Sequence, residues 1–380
     1  MENLNQVVEA KIKSKLQKGM INVQTAMTRL TEEGKISRDF VFEVGARTKG
    51  KESLIQFTPD PTYKGTSKVG ATLTLPTGAE QFQFNMHATG QVAAKLLIPP
   101  TYLTMLLTGE EWQKTLAYEI LNTHNGYLNR SRVLVRAVGT EVRGVLSDSY
   151  RRLNSKLIFE SHIDELYKQG AALSDGYMDD SIISAESILP QPIVIETELN
   201  GTILLAFGAR LSTFDYGGRA VNLHCFILNG VCLNGAVRES VLREVHLGAK
   251  LPDNLGLSER TYELDSMTTA SAVRDLTKQM FAVETIKARM EEIKAASTVK
   301  VEPVAMLRNL HFTGKLSVGE EQAIGKILMR NDPMDGVQGE STIWKMTQGI
   351  TAYANSEDVA DRRRLELQEV AGNLFNKLKN

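Results

Sequence analysis

From Arg130 the chain alternates. Arg130, Arg132, Leu134 and Arg136 fall on one side of an extended strand, and Ser131, Val133, Val135 and Ala137 on the other. This is the two-residue period of a β-strand. Gly139-Thr140 supplies a two-residue loop with glycine first, as a type II′ hairpin requires. The implied register sets Val138 opposite Glu141, Arg136 opposite Arg143 and Val133 opposite Leu146. One face then carries Val133, Val135, Ala137, Val142 and Leu146 as core. The other carries Arg132, Arg136 and Arg143. Ser147 or Asp148 is placed to cap a following helix, with Tyr150, Arg151 and Arg152 in its first turn.

Residues 2–33 have helical spacing, with a break expected near Gly19; Lys11, Lys13, Lys15 and Lys18 form its basic side. Residues 39–44, 53–57, 71–75 and 81–87 alternate and read as strands. Pro99-Pro100 opens a helix over residues 102–123, interrupted near Gly109, with Trp112, Leu116, Ile120 and Leu121 expected in the core. Pro190 and Pro192 open a second β region, in which Asn200-Gly201 is the strongest hairpin signal. Residues 265–296 keep apolar side chains at steps of three and four and predict one long amphipathic helix. Helices over residues 303–312, 318–329, 341–355 and 359–378 follow. The fold class expected is α+β: antiparallel sheets with packed helices and a helical C-terminal region.

Charge divides this pattern. The 380 residues have a formal net charge of −1, but residues 1–152 hold 20 Lys+Arg against 14 Asp+Glu, leaving 24 against 31 for the remainder. Two domains are expected, a basic one over 1–160 carrying the arginine hairpin and an acidic one over 161–380 ending in helices. Such asymmetry suits a basic working face with an acidic partner region.

The hairpin contains two local conflicts. Like charges directly opposite on a sheet repel, and arginines in a helix's first turn oppose its dipole. A bound anion relieves both, and so do carboxylates from elsewhere in the fold. The candidate nucleic-acid-binding residues are therefore Arg130, Arg132, Arg136, Arg143, Tyr150, Arg151 and Arg152. No phosphate-loop, dinucleotide or zinc-protease motif is present, so no catalytic residue or cofactor is expected. His224, Cys225, Cys232 and His246 match no compact zinc module, and Asp175, Asp179 and Asp180 do not have EF-hand spacing, so no metal is expected. The N-terminus lacks a secretory h-region, and no apolar run reaches the ~18–20 residues of a membrane span. A cytoplasmic protein with no membrane partner is expected.

Three segments carry a family resemblance. VRAVGTEVRGVLSDSYRRLNS from Val135, LHCFILNGVCLNGAVRESVLREVHLG from Leu223 and STIWKMTQGITAYAN from Ser341 resemble, in that order, segments of the phage/plasmid-like protein family of mobile elements. The resemblance covers about residues 130–375. It implies a bacterial host cell and an association with mobile-element DNA, with no settled chemistry. The functional expectation is a phage or mobile-element nucleic-acid-binding protein, single-strand binding or annealing in recombination or replication, working as a homo-oligomer. The alternatives are a self-assembling or host-interacting protein with no nucleic-acid ligand, and a nuclease whose carboxylates meet only in the fold.

Overall fold

The computed structural model describes residues 2–44, 54–59, 68–127, 131–147, 150, 153–180, 182–213, 215–217, 220–230, 233, 235–244 and 258–379. The fold is α+β. Helix α1 (Glu2–Ile36) leads into a six-stranded sheet of β1 (Ser37–Val44), β2 (Ile55–Phe57), β3 (Val69–Leu75), β4 (Gly78–Phe84), β5 (Ser131–Val138) and β6 (Glu141–Ser147). Their spatial order is β1-β5-β6-β4-β3-β2, antiparallel except where β4 meets β6. Helices α2 (Met86–Lys95), α3 (Pro100–Leu107) and α4 (Glu111–Tyr127) lie between β4 and β5 in sequence. Their Val92, Leu103 and Leu121 close a core over Phe57, Phe84 and Val135.

Helix α5 (Ser155–Lys168) joins this layer to a second sheet. It is built from β7 (Ala172–Met178), β8 (Ile183–Ile188), β9 (Ile193–Thr197), β10 (Gly201–Thr213), β11 (Val221–Asn229) and β12 (Gly235–Glu244), in the order β12-β11-β10-β8-β7 with β9 pairing β10. The helical C-terminal region comprises α6 (Glu259–Met280), α7 (Val283–Thr298), α8 (Pro303–Phe312), α9 (Val318–Arg330), α10 (Ile343–Ala354) and α11 (Asp361–Asn373). Alternation along β10 divides its neighbours. Ile203, Leu205 and Phe207 meet Trp344, Ile350 and Leu367 of the C-terminal helices. Farther along the same face, Ala209 and Leu211 meet Ile158 of α5 and Val273 of α6. On the opposite face, Leu204 and Ala206 share a cluster with Ile12 of α1 and Phe226 of β11. No helix among the described residues is long and apolar enough to cross a membrane.

The expected break at Gly19 does not occur. α1 runs unbroken because Gly19 serves packing: a Cβ there would stand 2.2 Å from the backbone of Ser174 on β7. Gly176 plays the reciprocal part, its Cβ position 2.7 Å from Val23. The helix expected to accompany the first sheet therefore lies against the edge strand of the second. Gly19→Val should drive a branched side chain into that backbone and cost about 1–3 kcal/mol. A urea midpoint equal to the parent's would refute this packing.

Several boundaries also move. Asn85 accepts a hydrogen bond from the Ala88 amide and starts α2, so Met86 and His87 are helical rather than the end of a strand. Trp112, expected in the core, is 63% exposed, because the apolar face of α4 falls on Ala117 and Leu121. The single helix expected over 265–296 is two, parted at Phe281-Ala282, where Ala282 turns extended and Phe281 is buried. The three-and-four spacing continues across the joint, which hides it. Ser149, Arg151 and Arg152, where a helix was expected to begin, lie outside the described residues; α5 begins at Ser155, capped by Asn154, whose side chain accepts from the Leu157 amide.

Candidate functional site

The hairpin forms at Gly139-Thr140, with Gly139 at φ +59° and Val138 opposite Glu141. Its register then shifts between Arg136 and Ala137, so that Arg136 faces Gly144, not Arg143. Arg143 is the extra residue of a β-bulge. The bulge separates the two guanidiniums and exchanges the faces beyond it. Val145 joins the cluster of Val133, Val135, Ala137 and Val142, while Leu146 is buried outside it.

Carboxylates of the same chain neutralise both arginines. Asp39 lies opposite Arg136 on β1 and accepts from Nε at 2.9 Å and Nη2 at 3.1 Å, while Nη1 donates to the Asp215 carbonyl at 2.9 Å. Burial is the largest single influence and pulls the guanidinium pKa down, but Asp39, joined by Asp215 and Tyr150, holds it above the ordinary value. Arg143 donates to Glu33 of α1 at 2.8 Å and to Glu141 at 3.1 Å. Burial is again the largest single influence and lowers its pKa, but the bond to Glu33 and its neighbours hold it raised. The ion-pairing reading thus accounts for these two arginines. Arg132 lies opposite Glu43 in the ladder. Tyr150 donates its hydroxyl to the Asp215 carbonyl at 3.2 Å, and burial followed by Asp215 raises its pKa. Arg130, Arg151 and Arg152 lie outside the described residues.

The hairpin is thereby a joint between the sheets. The 215–217 turn between β10 and β11 receives Arg136 and Tyr150 from one side. From α2, His87 Nε2 donates to the Gly217 carbonyl at 2.7 Å and Gln91 Nε2 to the Tyr216 carbonyl at 2.8 Å. A cleft of about 670 Å³ opens at this joint, lined by Glu33, Asp39 and Asp215 against Lys35, Arg136 and Lys156, among others. Among the described residues its charges balance. Ser155 Oγ donates to Asp215 Oδ1 at 2.5 Å, and among the described residues no imidazole lines the cleft to activate that hydroxyl.

A second gathering of cationic side chains lies on α1. Lys11, Lys15 and Lys18 are spaced i, i+4, i+7 on α1 and therefore share one face, beside the buried stripe of Ile12, Gly19 and Val23. With Arg364 of α11 they line a recess of about 360 Å³ floored by Phe226, Leu228 and Gly235. Among the described residues Asp175 is the one carboxylate in that lining; it lies 3.8 Å from Lys15 Nζ and accepts from Asn22 at 3.1 Å. Arg364 also pairs at 2.8 Å with Asp361, which does not line the recess. The lysine stripe is legible in the sequence. Its meeting with Arg364, from the other end of the chain, is not, because only the packing of α1 on β7 brings them together.

The remaining chemistry-bearing groups are structural. Among the described residues no group of three His, Cys, Asp or Glu is arranged to hold a metal ion. Asp179 accepts from the Tyr177 hydroxyl at 2.9 Å and the Ile182 amide at 2.8 Å, and Asp180 pairs with Arg29 at 2.7 Å. Cys225 is buried in β11, whereas Cys232 and His246 lie outside the described residues. Comparison with protein-family models, with curated proteins and with solved structures found no match.

Proposed function

We propose that the protein binds single-stranded nucleic acid through its phosphates, with the recess between α1 and α11 as the contact site. The observation that carries this reading is the gathering of Lys11, Lys15, Lys18 and Arg364 around one recess. Phosphate contacts by lysine and arginine supply affinity without regard to sequence. A recess between two helices takes one backbone and leaves the width of a duplex outside. The resemblance of three segments to a mobile-element family agrees with a nucleic-acid ligand. The hairpin arginines have the subordinate role of fixing the two sheets to each other.

Fluorescence anisotropy with a labelled single-stranded oligonucleotide tests the reading. Lys11→Ala, Lys15→Ala and Lys18→Ala together should weaken binding to all sequences alike. The slope of log affinity against log salt should flatten by about 0.7 for each phosphate that the variant no longer neutralises. Lys18 is exposed and Lys11 and Lys15 are half-buried, so circular dichroism should first show that the triple variant is folded. Unchanged affinity in the triple variant, or no binding by the parent protein, would overturn the proposal.

A further inference from the structure

We infer that α11 is joined to the second sheet through a buried binding site for a single water molecule, set between the helix and the β7–β8 pair. A cavity of about 10 Å³ opens there, lined by Asp175, Tyr177, Ser184, Glu186 and Arg364, among others. That is about the space one water needs. The observation that points to a ligand is Ser184. Its side chain is 3% exposed, and its hydroxyl has no hydrogen-bond partner among the described residues. A hydroxyl buried without a partner is costly, and folded interiors leave few of them.

The rest of the lining says what the ligand must be. Ser184 and Glu186 stand two apart on β8 and so share a face. Glu186 accepts both of its bonds from Arg210 at Oε1 and makes no other hydrogen bond among the described residues, so its second oxygen keeps its lone pairs. Arg364 of α11 gives Nη2 to Asp361 and has further N–H groups for a second partner. The other two polar side chains are already met: Asp175 accepts from Asn22 and from the Gly176 amide, and the Tyr177 hydroxyl donates to Asp179. Three groups therefore converge on the space, one acceptor, one donor and one hydroxyl that can be either. A buried water makes about three hydrogen bonds. It can donate to Glu186, accept from Arg364 and meet Ser184 in either sense. An anion would face the carboxylates of Asp175 and Glu186, and a cation would face Arg364 beside a Glu186 that Arg210 already neutralises. The neutral ligand fits. Because Arg364 and Asp175 also line the recess, the water site lies directly behind it.

Two variants of Ser184 test the site in the full chain. Ser184→Val fills the space with a methyl group and removes the hydroxyl. Magnetic relaxation dispersion of water oxygen counts long-lived internal waters, and the parent should hold one more of them than this variant. Equal dispersions would overturn the inference. Ser184→Ala removes the hydroxyl alone, and here the sign of the effect decides. A hydroxyl that meets a water contributes one hydrogen bond, so its loss should lower the urea midpoint, with a folding constant about fivefold smaller. In a dry cavity the same change removes an unmet polar group, and a midpoint that holds or rises overturns the inference. Should Ser184→Val fail to fold, the sign for Ser184→Ala decides alone. Where both variants fold and the two measurements disagree, the water count decides.

Discussion

Glu186→Ala should cost about 3–5 kcal/mol of folding stability, because it leaves a guanidinium buried without its counter-charge. Arg210 on β10 is 2% exposed, and its ladder partner Glu186 on β8 is 4% exposed. Arg210 Nε donates to Glu186 Oε1 at 3.0 Å, and Nη2 donates both to that oxygen and to Gln368 Oε1. Neither charge has water to fall back on, and Arg210 Nη1 already lacks a partner among the described residues. Such a pair contributes little over an apolar replacement, yet is expensive to break from one side. Arg210→Met combined with Glu186→Leu should therefore recover most of the loss. Urea denaturation of the single and double variants measures both effects. A single-variant loss under about 1 kcal/mol, the range of exposed ion pairs, would show that solvent reaches the pair.

That network also marks where local pattern stops informing. The alternation around Gly139-Thr140 was legible because a hairpin is a short-range object: the turn, Val138 opposite Glu141, and the core side chains Val133, Val135 and Ala137 all follow from neighbours. The bulge at Arg143 was not, since alternation carries no mark of one extra residue, and it put Val145 rather than Leu146 with Val133 and Val135. The partners of the arginines lie farther off. Glu33 is 110 residues from Arg143 and Asp39 97 from Arg136, so only the closed sheet and the end of α1 reveal that the charges cancel. Arg210 reads in sequence as an ordinary strand residue. It is buried because a helix from the N-terminus and another from the C-terminus meet over its face of the sheet. The α+β class survived these long-range effects because strand and helix periods are local. The site did not, because it is assembled from the ends of the chain.

His162→Leu should remove the largest single contribution to acid sensitivity that burial alone creates. His162 is fully buried in α5 against α6, and burial pushes its imidazole down to about 3 from an ordinary 6.5. Its Nδ1 lies 2.7 Å from the Thr277 hydroxyl, which donates its own proton to the Val273 carbonyl at 2.7 Å. The hydroxyl must therefore accept, so Nδ1 carries the hydrogen and Nε2 is a bare lone pair, without a partner among the described residues. Protonation would place a charge at Nε2 in an apolar interior. The folded pKa is depressed, so the unfolded chain binds this proton first. Stability from the neutral imidazole is fully present above about pH 6.5 and is lost as pH falls toward 3. A shift of that size corresponds to about 5 kcal/mol in all, at about 1.4 kcal/mol per pH unit within the window. Carboxylates titrate over part of the same range, but equally in both proteins. Urea midpoints of the parent and of His162→Leu should accordingly converge between pH 7 and pH 4, the parent losing ground faster. A stability difference constant across that range would mean that the buried imidazole takes up its proton without unfolding the α5–α6 contact.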